Sequence, residues 1–232
     1  MVARFEELDW QETPMGEISL RRRYDLVART DVYEVRLGDE YLMSSLFTAS
    51  ERALADLGLA RLDRDRDRLT VMVGGLGLGY TAVQALADPR VAELTVVEYS
   101  RPVLDWHRRE LLPDAKGLAT DPRCRLVEDD FFRRVSEEPE ERYDAILLDI
   151  DHTPDHTLHP SHAPFYSVAG LRAMARHLTD GGVFGLWSDD PPDAGFEALL
   201  GQVFAEVSSH PVAFANPVTG GESSCTVYVA GS

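Results

Sequence analysis

Short apolar runs alternate with amphipathic stretches through most of the chain after residue 69. The apolar runs are rich in Val, Leu and Ile, which is typical of strands buried on both faces of a sheet. Because helical stretches separate these strands, the pattern predicts crossover units and a parallel sheet. The predicted strands are 69–74, 93–98, 124–128, 144–149 and 182–187, with Asp180–Gly182 as the turn into the last, and the predicted helices are 79–87, 101–112, 130–137, 166–178 and 194–206.

Two further strands, at 208–215 and 223–230, end the chain. The segment that joins them, 216–221, is too short for a crossover helix and predicts antiparallel pairing. Five parallel strands followed by an antiparallel pair resemble the Rossmann-like sheet of class I S-adenosylmethionine-dependent methyltransferases. The expected fold class is therefore α/β.

The first part of the chain has a different pattern. Residues 13–46 alternate in the manner of β structure, and Gly38–Asp39 is typical of a hairpin turn. Thr48–Glu51 fits a capping box that opens a helix to about Leu62, and the charged run 61–68 is typical of a solvated connector. We predict a small β domain at 1–47 and a nucleoside-binding catalytic domain at 48–232.

Composition narrows the function classes. The 232 residues carry a formal charge of −17, which argues against a nucleic-acid surface and is compatible with a cationic substrate or with acidic solubility. The two cysteines, Cys124 and Cys225, are expected to be buried thiols. We find no signal-peptide core and no membrane-spanning run, and therefore expect a soluble cytoplasmic protein.

The clearest chemical motif follows the first predicted parallel strand. Three alternating glycines, Gly75, Gly77 and Gly79, precede a helix, and the next strand ends on Glu98. Glycines let the backbone turn tightly against a ligand, and an acid at the next strand end can accept hydrogen bonds from ribose hydroxyls. The arrangement predicts a nucleoside site.

With the acids Asp129 and Asp149 after the third and fourth strands, the chain resembles the spermidine synthase family of polyamine aminopropyltransferases. The resemblance implies a donor, S-adenosylmethionine or its decarboxylated form, and transfer of an aminopropyl group to a cationic amine. It implies that the three glycines line the nucleoside, that Glu98 holds the ribose, and that Asp129, with Asp130, contacts the adenine. A helix N-cap is the alternative for Asp129 and Asp130.

The chain departs from this family at several positions. Val73 stands where most methyltransferases have an acid, and Thr48–Arg52 lacks the Tyr-His pair of the diamine site. The family's fourth-strand motif, Asp-Ser-Ser-Asp-Pro or similar, is here Asp149-Ile-Asp-His-Thr-Pro. A histidine, His152, therefore occupies the position of the catalytic base.

Asp149, Asp151 and His152 are the predicted catalytic residues. Asp149 would hold an ammonium group, and His152 would take its proton because histidine titrates near neutral pH. Residues 151–162 contain four histidines, which could instead bind zinc or iron. Prolines interrupt the spacing of these histidines, and we expect no metal. The third interpretation is that the loop is a lid without a chemical role. This interpretation applies best to the remaining histidines, which are His156, His159 and His162.

Other residues have two interpretations each. Asp189 and Asp190 would receive a cationic group or cap a helix, and Tyr166 would close the pocket or pack in the core. Trp106 and His107 are expected on the surface or in packing. The basic cluster, Arg21–Arg23, is a solvated strand end or a subunit contact, and we favour a homodimer.

Three function classes remain open from the sequence. The first is an aminopropyltransferase, favoured by the family resemblance. The second is a methyltransferase that acts on a small molecule through His152. The third is a silent nucleoside-binding domain, which would explain the missing diamine residues. Fold class alone does not separate them.

Overall fold

The computed structural model describes residues 5–216 and 220–231. The first of its two sheets is antiparallel and has its strands in chain order. The hairpin turn predicted at Gly38–Asp39 is confirmed, and Gly38 has a φ of +57°. The strands are β1 (Phe5–Thr13), β2 (Gly16–Asp25), β3 (Thr30–Leu37) and β4 (Glu40–Ser44).

Strand β1 lies mostly outside the predicted β region, which began at residue 13. The acidic residues of β1 interrupt the alternation of apolar and polar positions that is typical of a strand. These acids pair with basic residues of the neighbouring strand β2. Glu6 and Glu7 lie opposite Arg22 and Arg21 and form ion pairs with them, while Arg23 pairs with residues of β2 and β3. The basic cluster is thus neutralised within its own sheet, and the predicted subunit contact remains a prediction.

Helix α1 (Ala49–Arg61) follows the first sheet. The capping box predicted at 48–51 is wrong, because the Thr48 side chain makes no capping hydrogen bond. Glu51 instead accepts a hydrogen bond from the Ser50 hydroxyl at 2.9 Å. The side chains of Ser50 and Glu51 therefore form a hydrogen bond with each other and do not form a capping box.

The second sheet has seven strands in the order β10-β11-β9-β8-β5-β6-β7. The first five in the chain are parallel, and β11 pairs antiparallel with both β9 and β10, which confirms the fold class. Residues 217–219 of the predicted connection lie outside the described residues. The strands are β5 (Leu69–Gly74), β6 (Val91–Glu98), β7 (Cys124–Glu128), β8 (Tyr143–Leu148), β9 (Leu178–Ser188), β10 (Glu206–Asn216) and β11 (Gly221–Gly231).

The predicted helices are present but shorter than their patterns. The predicted helix 101–112 ends at Arg108, because Glu110 takes a φ of +54°. The turn predicted at Asp180–Gly182 is wrong: β9 runs through it, Gly181 has a φ of +67°, and the register against β8 shifts nearby. The helices are α2 (Tyr80–Ala87), α3 (Arg101–Arg108), α4 (Phe131–Ser136), α5 (Val168–Ala175) and α6 (Ala194–Leu200).

The two sheets share apolar packing. Ile18, Leu20 and Val35 of the first sheet belong to the same buried cluster as Leu54 of α1. Trp106 on α3 is fully buried and donates its indole N–H to Asp9 on β1 at 2.7 Å. Trp106 therefore packs, and the domain boundary at 47 and 48 stays a prediction. Within the described parts of the chain, no helix is long and apolar enough to cross a membrane.

Candidate active site

The glycine loop connects β5 with α2 at the carboxyl edge of the parallel strands. Gly75, Gly77 and Gly79 have φ values of +91°, +47° and +93°. Residues that carry a Cβ rarely adopt positive φ. A Cβ on Gly75 would lie 2.1 Å from the carbonyl oxygen of Asp149. The loop thus lies directly against the end of β8.

His107 supports this loop from α3. Its ring is buried, and burial lowers the pKa of the imidazole, so the neutral form is favoured. The ring Nε2 lies 2.9 Å from the Gly77 carbonyl oxygen, which requires the tautomer that carries its hydrogen there. Of the two interpretations, packing is correct. A lone histidine on an amphipathic helix gave no signal of this role.

Glu98 lies at the end of β6 beside the loop. Its carboxylate accepts hydrogen bonds from the N–H groups of Leu76 at 2.9 Å and Ser100 at 2.7 Å. Burial raises its pKa, while these backbone donors favour the charged form. The N–H groups of Gly77 and Tyr99 also favour the charged form, so four main-chain donors surround this carboxylate. Glu98 is thus held as an acceptor beside the glycine loop.

Asp129 and Asp130 follow β7. Asp130 is the N-cap of α4 and accepts from the N–H groups of Phe132 and Arg133, so the capping alternative holds for it. Asp129 forms ion pairs with Arg133 and Arg134. Burial opposes ionisation of Asp129, but hydrogen bonds led by that from Arg133 lower its pKa overall. An adenine bound as predicted would therefore compete for the Asp129 carboxylate with the guanidinium groups of Arg133 and Arg134.

Asp149 follows β8 and is the centre of the second half of the site. Its N–H donates to the Gly74 carbonyl at 2.8 Å, and its carboxylate accepts from the Thr81 hydroxyl at 2.7 Å. Burial raises the pKa of Asp149 to about 6. The strand ends thus hold a carboxylate whose protonation changes close to neutral pH.

Glu51 approaches Asp149 from the first turn of α1. The Thr81 hydroxyl that contacts Asp149 also lies 3.2 Å from the Glu51 carbonyl oxygen, and this links the two residues. Burial and the Asp149 charge together raise the pKa of Glu51 to about 7. We call these two residues the carboxylate pair. Sequence reasoning assigned Glu51 to a helix cap and missed it; an acid at the start of the helix that precedes the glycine-loop strand was the available signal.

A third carboxylate lies near the pair. Asp189, after β9, is 3.4 Å from the thiol of Cys225 on β11. Burial raises the pKa of Cys225 to about 12, so this cysteine stays a thiol, as expected of a buried one, whereas Cys124 is only half-buried. The side-chain donors to Glu51, Asp149 and Asp189 are Ser50, Thr81 and Cys225, all uncharged.

His152 does not contact Asp149 in this structure. Its Nε2 lies 3.8 Å from a carboxylate oxygen of Glu40 on β4, and its ring centroid lies 5.2 Å from that of His156. The carbonyl of His152 accepts from the Asp189 N–H at 2.8 Å. The predicted catalytic pair of Asp149 and His152 therefore remains a prediction that would need the His152 ring to turn.

Asp151 organises the histidine loop, residues 151–166. Its side chain is fully buried and accepts hydrogen bonds from the Leu158 N–H, His162 Nδ1 and the Tyr166 hydroxyl at 2.7 to 2.8 Å. Burial, with the Asp151 charge next, raises the pKa of Tyr166 well above its ordinary value. Tyr166 thus packs as a protonated donor, and Asp151 has its acceptor positions occupied by the loop.

The other loop histidines lie apart from the carboxylate pair. His162 stacks on Phe132 with ring centroids 4.0 Å apart, and His159 caps a short 3-10 turn at 160–165. In residues 5–216 and 220–231, no three or more His, Cys, Asp or Glu side chains are grouped to hold a metal ion. The structure therefore does not bring the four loop histidines together as a metal site.

A cavity of about 700 Å³ lies between the histidine loop and α6. Asp190 lines it, whereas Asp189 contacts Cys225, so these neighbouring acids face different places. The capping acid of α6 is Asp193, which accepts from the Phe196 N–H. The cavity also has aromatic walls, formed by Tyr166, Phe196 and Tyr228.

The first sheet approaches both the glycine loop and the histidine loop. Met43 of β4 would contact a Cβ on Gly77 at 3.1 Å, and Glu40 at the start of the same strand approaches His152. One strand of the small sheet therefore lies beside the glycine loop and the histidine loop.

Sequence comparison identifies relatives of one kind, although no family model matches the chain. It is 29% identical over 161 residues to polyamine aminopropyltransferase 2 of Pseudomonas aeruginosa, covering 65% of this chain and 44% of that protein. It is 34% identical over 120 residues to the polyamine aminopropyltransferase of Corynebacterium efficiens, covering 51% of this chain and 22% of that one. The matches span less than half the length of either relative.

Solved structures share the fold across nearly the whole chain. The spermidine synthase from Thermotoga maritima superposes with a TM-score of 0.72 at 19% identity, covering 97% of this chain and 72% of that one. A spermidine synthase in complex with the transition-state analogue AdoDATO gives the same TM-score and coverage at 18% identity. In sequence the chain is similar to polyamine aminopropyltransferases, and in fold it is similar to spermidine synthases.

Proposed function

We propose that this protein transfers an aminopropyl group from decarboxylated S-adenosylmethionine to a cationic amine. The observation that carries the proposal is the meeting of two unlike half-sites at one edge of the sheet. The glycine loop and Glu98 form the nucleoside half. The carboxylate pair and Asp189 form the acceptor half.

The nucleoside half suits the adenosyl part of the donor. Positive φ at three glycines brings the backbone close to the ligand position without side chains in between. Glu98, a carboxylate at the strand end beside the glycine loop, suits the hydroxyls of a ribose. Such a half-site binds an adenosyl sulfonium and its thioether product in the same way.

The acceptor half suits a cation. The half-buried carboxylates of Glu51 and Asp149 and the exposed carboxylate of Asp189 have only uncharged side-chain donors, and this leaves negative charge that a bound ammonium group would balance. The same carboxylates repel the carboxylate that S-adenosylmethionine carries, and attract the free amino group of its decarboxylated form. The electrostatics therefore favour the decarboxylated donor, as do the aminopropyltransferase relatives.

The chemistry is a displacement at carbon. The amine nitrogen attacks the carbon bound to the sulfonium, the C–S bond breaks, and methylthioadenosine leaves. Asp149 holds the amine in line with that carbon, and such alignment supplies a large part of the rate enhancement. The amine must first lose a proton, because an ammonium group has no lone pair to attack with.

Calorimetric titration with both donors, together with product analysis, tests this function. We expect decarboxylated S-adenosylmethionine to bind more tightly than S-adenosylmethionine, and methylthioadenosine to appear only when a diamine is added. Glu98→Ala should weaken binding of methylthioadenosine by about 1–3 kcal/mol, because two hydrogen bonds to a charged acceptor are lost. Release of S-adenosylhomocysteine instead would establish the methyltransferase alternative.

A further inference from the structure

We propose that Glu51 receives the proton that the acceptor amine loses, while Asp149 holds and orients that amine. This assignment rests on the aminopropyl transfer proposed above. It gives a role to a buried carboxylate on α1 for which the sequence motifs provided none.

The geometry places Glu51 for this role. It lies in the first turn of α1, and the Thr81 hydroxyl contacts its carbonyl oxygen at 3.2 Å and the Asp149 carboxylate at 2.7 Å. The Ser50 hydroxyl donates to one carboxylate oxygen of Glu51. The helix turn that carries Glu51 therefore lies against Asp149, and the Asp149 charge acts on the Glu51 carboxylate.

The charged groups around Glu51 come from several elements. Asp149 at the end of β8 is the nearest like charge, and Arg52 on α1 is the cation that acts on Glu51. The Arg52 guanidinium bonds Gln84 and lies 5.1 Å from the Tyr80 ring centroid on α2, so it is engaged elsewhere. Cys225 on β11 is an uncharged thiol that contacts Asp189.

Protonation in the pair suits a proton acceptor. Burial raises the pKa of both carboxylates toward neutral pH, and the Asp149 charge raises the pKa of Glu51 further. A general base works best when its pKa lies near the working pH. Asp149 is fixed at the strand end by the Thr81 hydroxyl, so we assign the ammonium to Asp149 and the proton to Glu51.

The proton balance is simple. An N–H bond of the ammonium breaks, and its proton moves to the Glu51 carboxylate, which becomes a neutral acid. The freed lone pair forms the N–C bond as the C–S bond breaks, and the electron pair of that bond stays on sulfur in the thioether. Solvent then takes the proton from Glu51 and resets the pair.

The first experiment measures kcat/KM against pH for the parent, Glu51→Gln and Glu51→Asp, with diaminobutane as acceptor. We expect Glu51→Gln to lose roughly 10²-fold or more in turnover. The acid limb of its residual activity should move from near pH 7 toward pH 6, because only Asp149 then titrates. Glu51→Asp should recover part of the rate. Asp56→Asn, an exposed change on the same helix, is the matched control.

A second readout does not depend on activity. Infrared difference spectra between pH 5 and pH 8 should show the band of a protonated carboxylic acid that disappears near pH 7 in the parent and is missing in Glu51→Gln. Methylthioadenosine affinity should be unchanged in the variant. Full turnover with an unmoved acid limb in Glu51→Gln, or a parent spectrum without that band, overturns the assignment. Absence of methylthioadenosine release by the parent overturns the proposed function instead.

Discussion

The two halves of the site are built differently. The nucleoside half consists of backbone: three glycines at positive φ, and a Glu98 carboxylate anchored by two main-chain N–H groups. The acceptor half consists of side chains contributed by α1, β8 and the end of β9. A backbone site tolerates little change in its glycines, whereas a side-chain site can change its chemistry by substitution while the fold persists. Two departures from the family's motifs, at Thr48–Arg52 and in the motif that begins at Asp149, lie in or beside the acceptor half. The third, Val73, lies next to the glycines.

The largest expected effect separates the two halves directly. Asp149→Asn removes the charge that holds the ammonium, and turnover should fall by roughly 10³-fold or more. The nucleoside half should be unaffected, so the affinity for methylthioadenosine should stay within about twofold of the parent value. Steady-state kinetics and calorimetry of the same preparation provide both numbers. A large loss of nucleoside affinity would show that the halves are not independent.

The second effect tests the backbone half with a matched pair of glycines. Gly75→Ala and Gly117→Ala both place alanine at positive φ, +91° and +85°, at a cost of about 1–2 kcal/mol each. Only at Gly75 does the new Cβ meet the backbone of Asp149, while nothing lies within 4 Å at Gly117. Gly75→Ala should therefore lose more unfolding free energy in denaturant titrations, and also its nucleoside affinity. Equal losses would mean that the close contact with β8 is easily relieved.

These differences explain what the sequence could predict. Glycine spacing and the strand-end Glu98 are local features, so the nucleoside half could be predicted from short segments of sequence. Glu51 acts through its contact with Asp149, far away in the chain, and the local pattern Thr-Ala-Ser-Glu favoured a cap instead. Strand β1 was missed for a related reason, since its acids make sense only opposite the arginines of β2.

The histidine loop shows the same limit. Convergence of the four loop histidines was one alternative from the sequence, and the structure places His162 against Phe132 and Asp151, and His152 beside Glu40. Side-chain direction in a loop depends on packing against distant elements, which residue spacing does not contain. The parallel strands were predicted because buried β-branched runs are a strong local signal.

A third effect concerns stability and sharpens the account of the acceptor half. The pKa of Glu51 is about 7 in the folded protein and about 4.3 in an unfolded chain. Between these values the folded state binds a proton that the unfolded state has released, so the free energy of unfolding falls as the pH rises through this window. Glu51→Gln should remove this part of the fall and be more stable than the parent at pH 8, by roughly 3 kcal/mol at about 1.4 kcal/mol per pKa unit.

Denaturant titrations of the parent, Glu51→Gln and Asp56→Asn between pH 4 and pH 8 measure this difference. Asp56→Asn should follow the parent curve, because Asp56 is exposed. Parallel curves for all three proteins would mean that Glu51 titrates like a solvated carboxylate, and that the acceptor half carries less buried charge than its geometry indicates.

The smallest expected effect is at His152, which motif position identified as the base. Its side chain is about a quarter exposed and lies 3.8 Å from Glu40, and a contact of this kind contributes about 0–1 kcal/mol. His152→Ala should therefore change turnover by no more than a few-fold, close to the effect of His156→Ala in the same loop, and the pH–rate profile should keep its acid limb near pH 7. A loss of roughly 10²-fold that is partly restored at high pH would have a different meaning. It would show that the ring turns from Glu40 to the amine when substrate binds, which would make the histidine the base and leave Glu51 as its electrostatic neighbour.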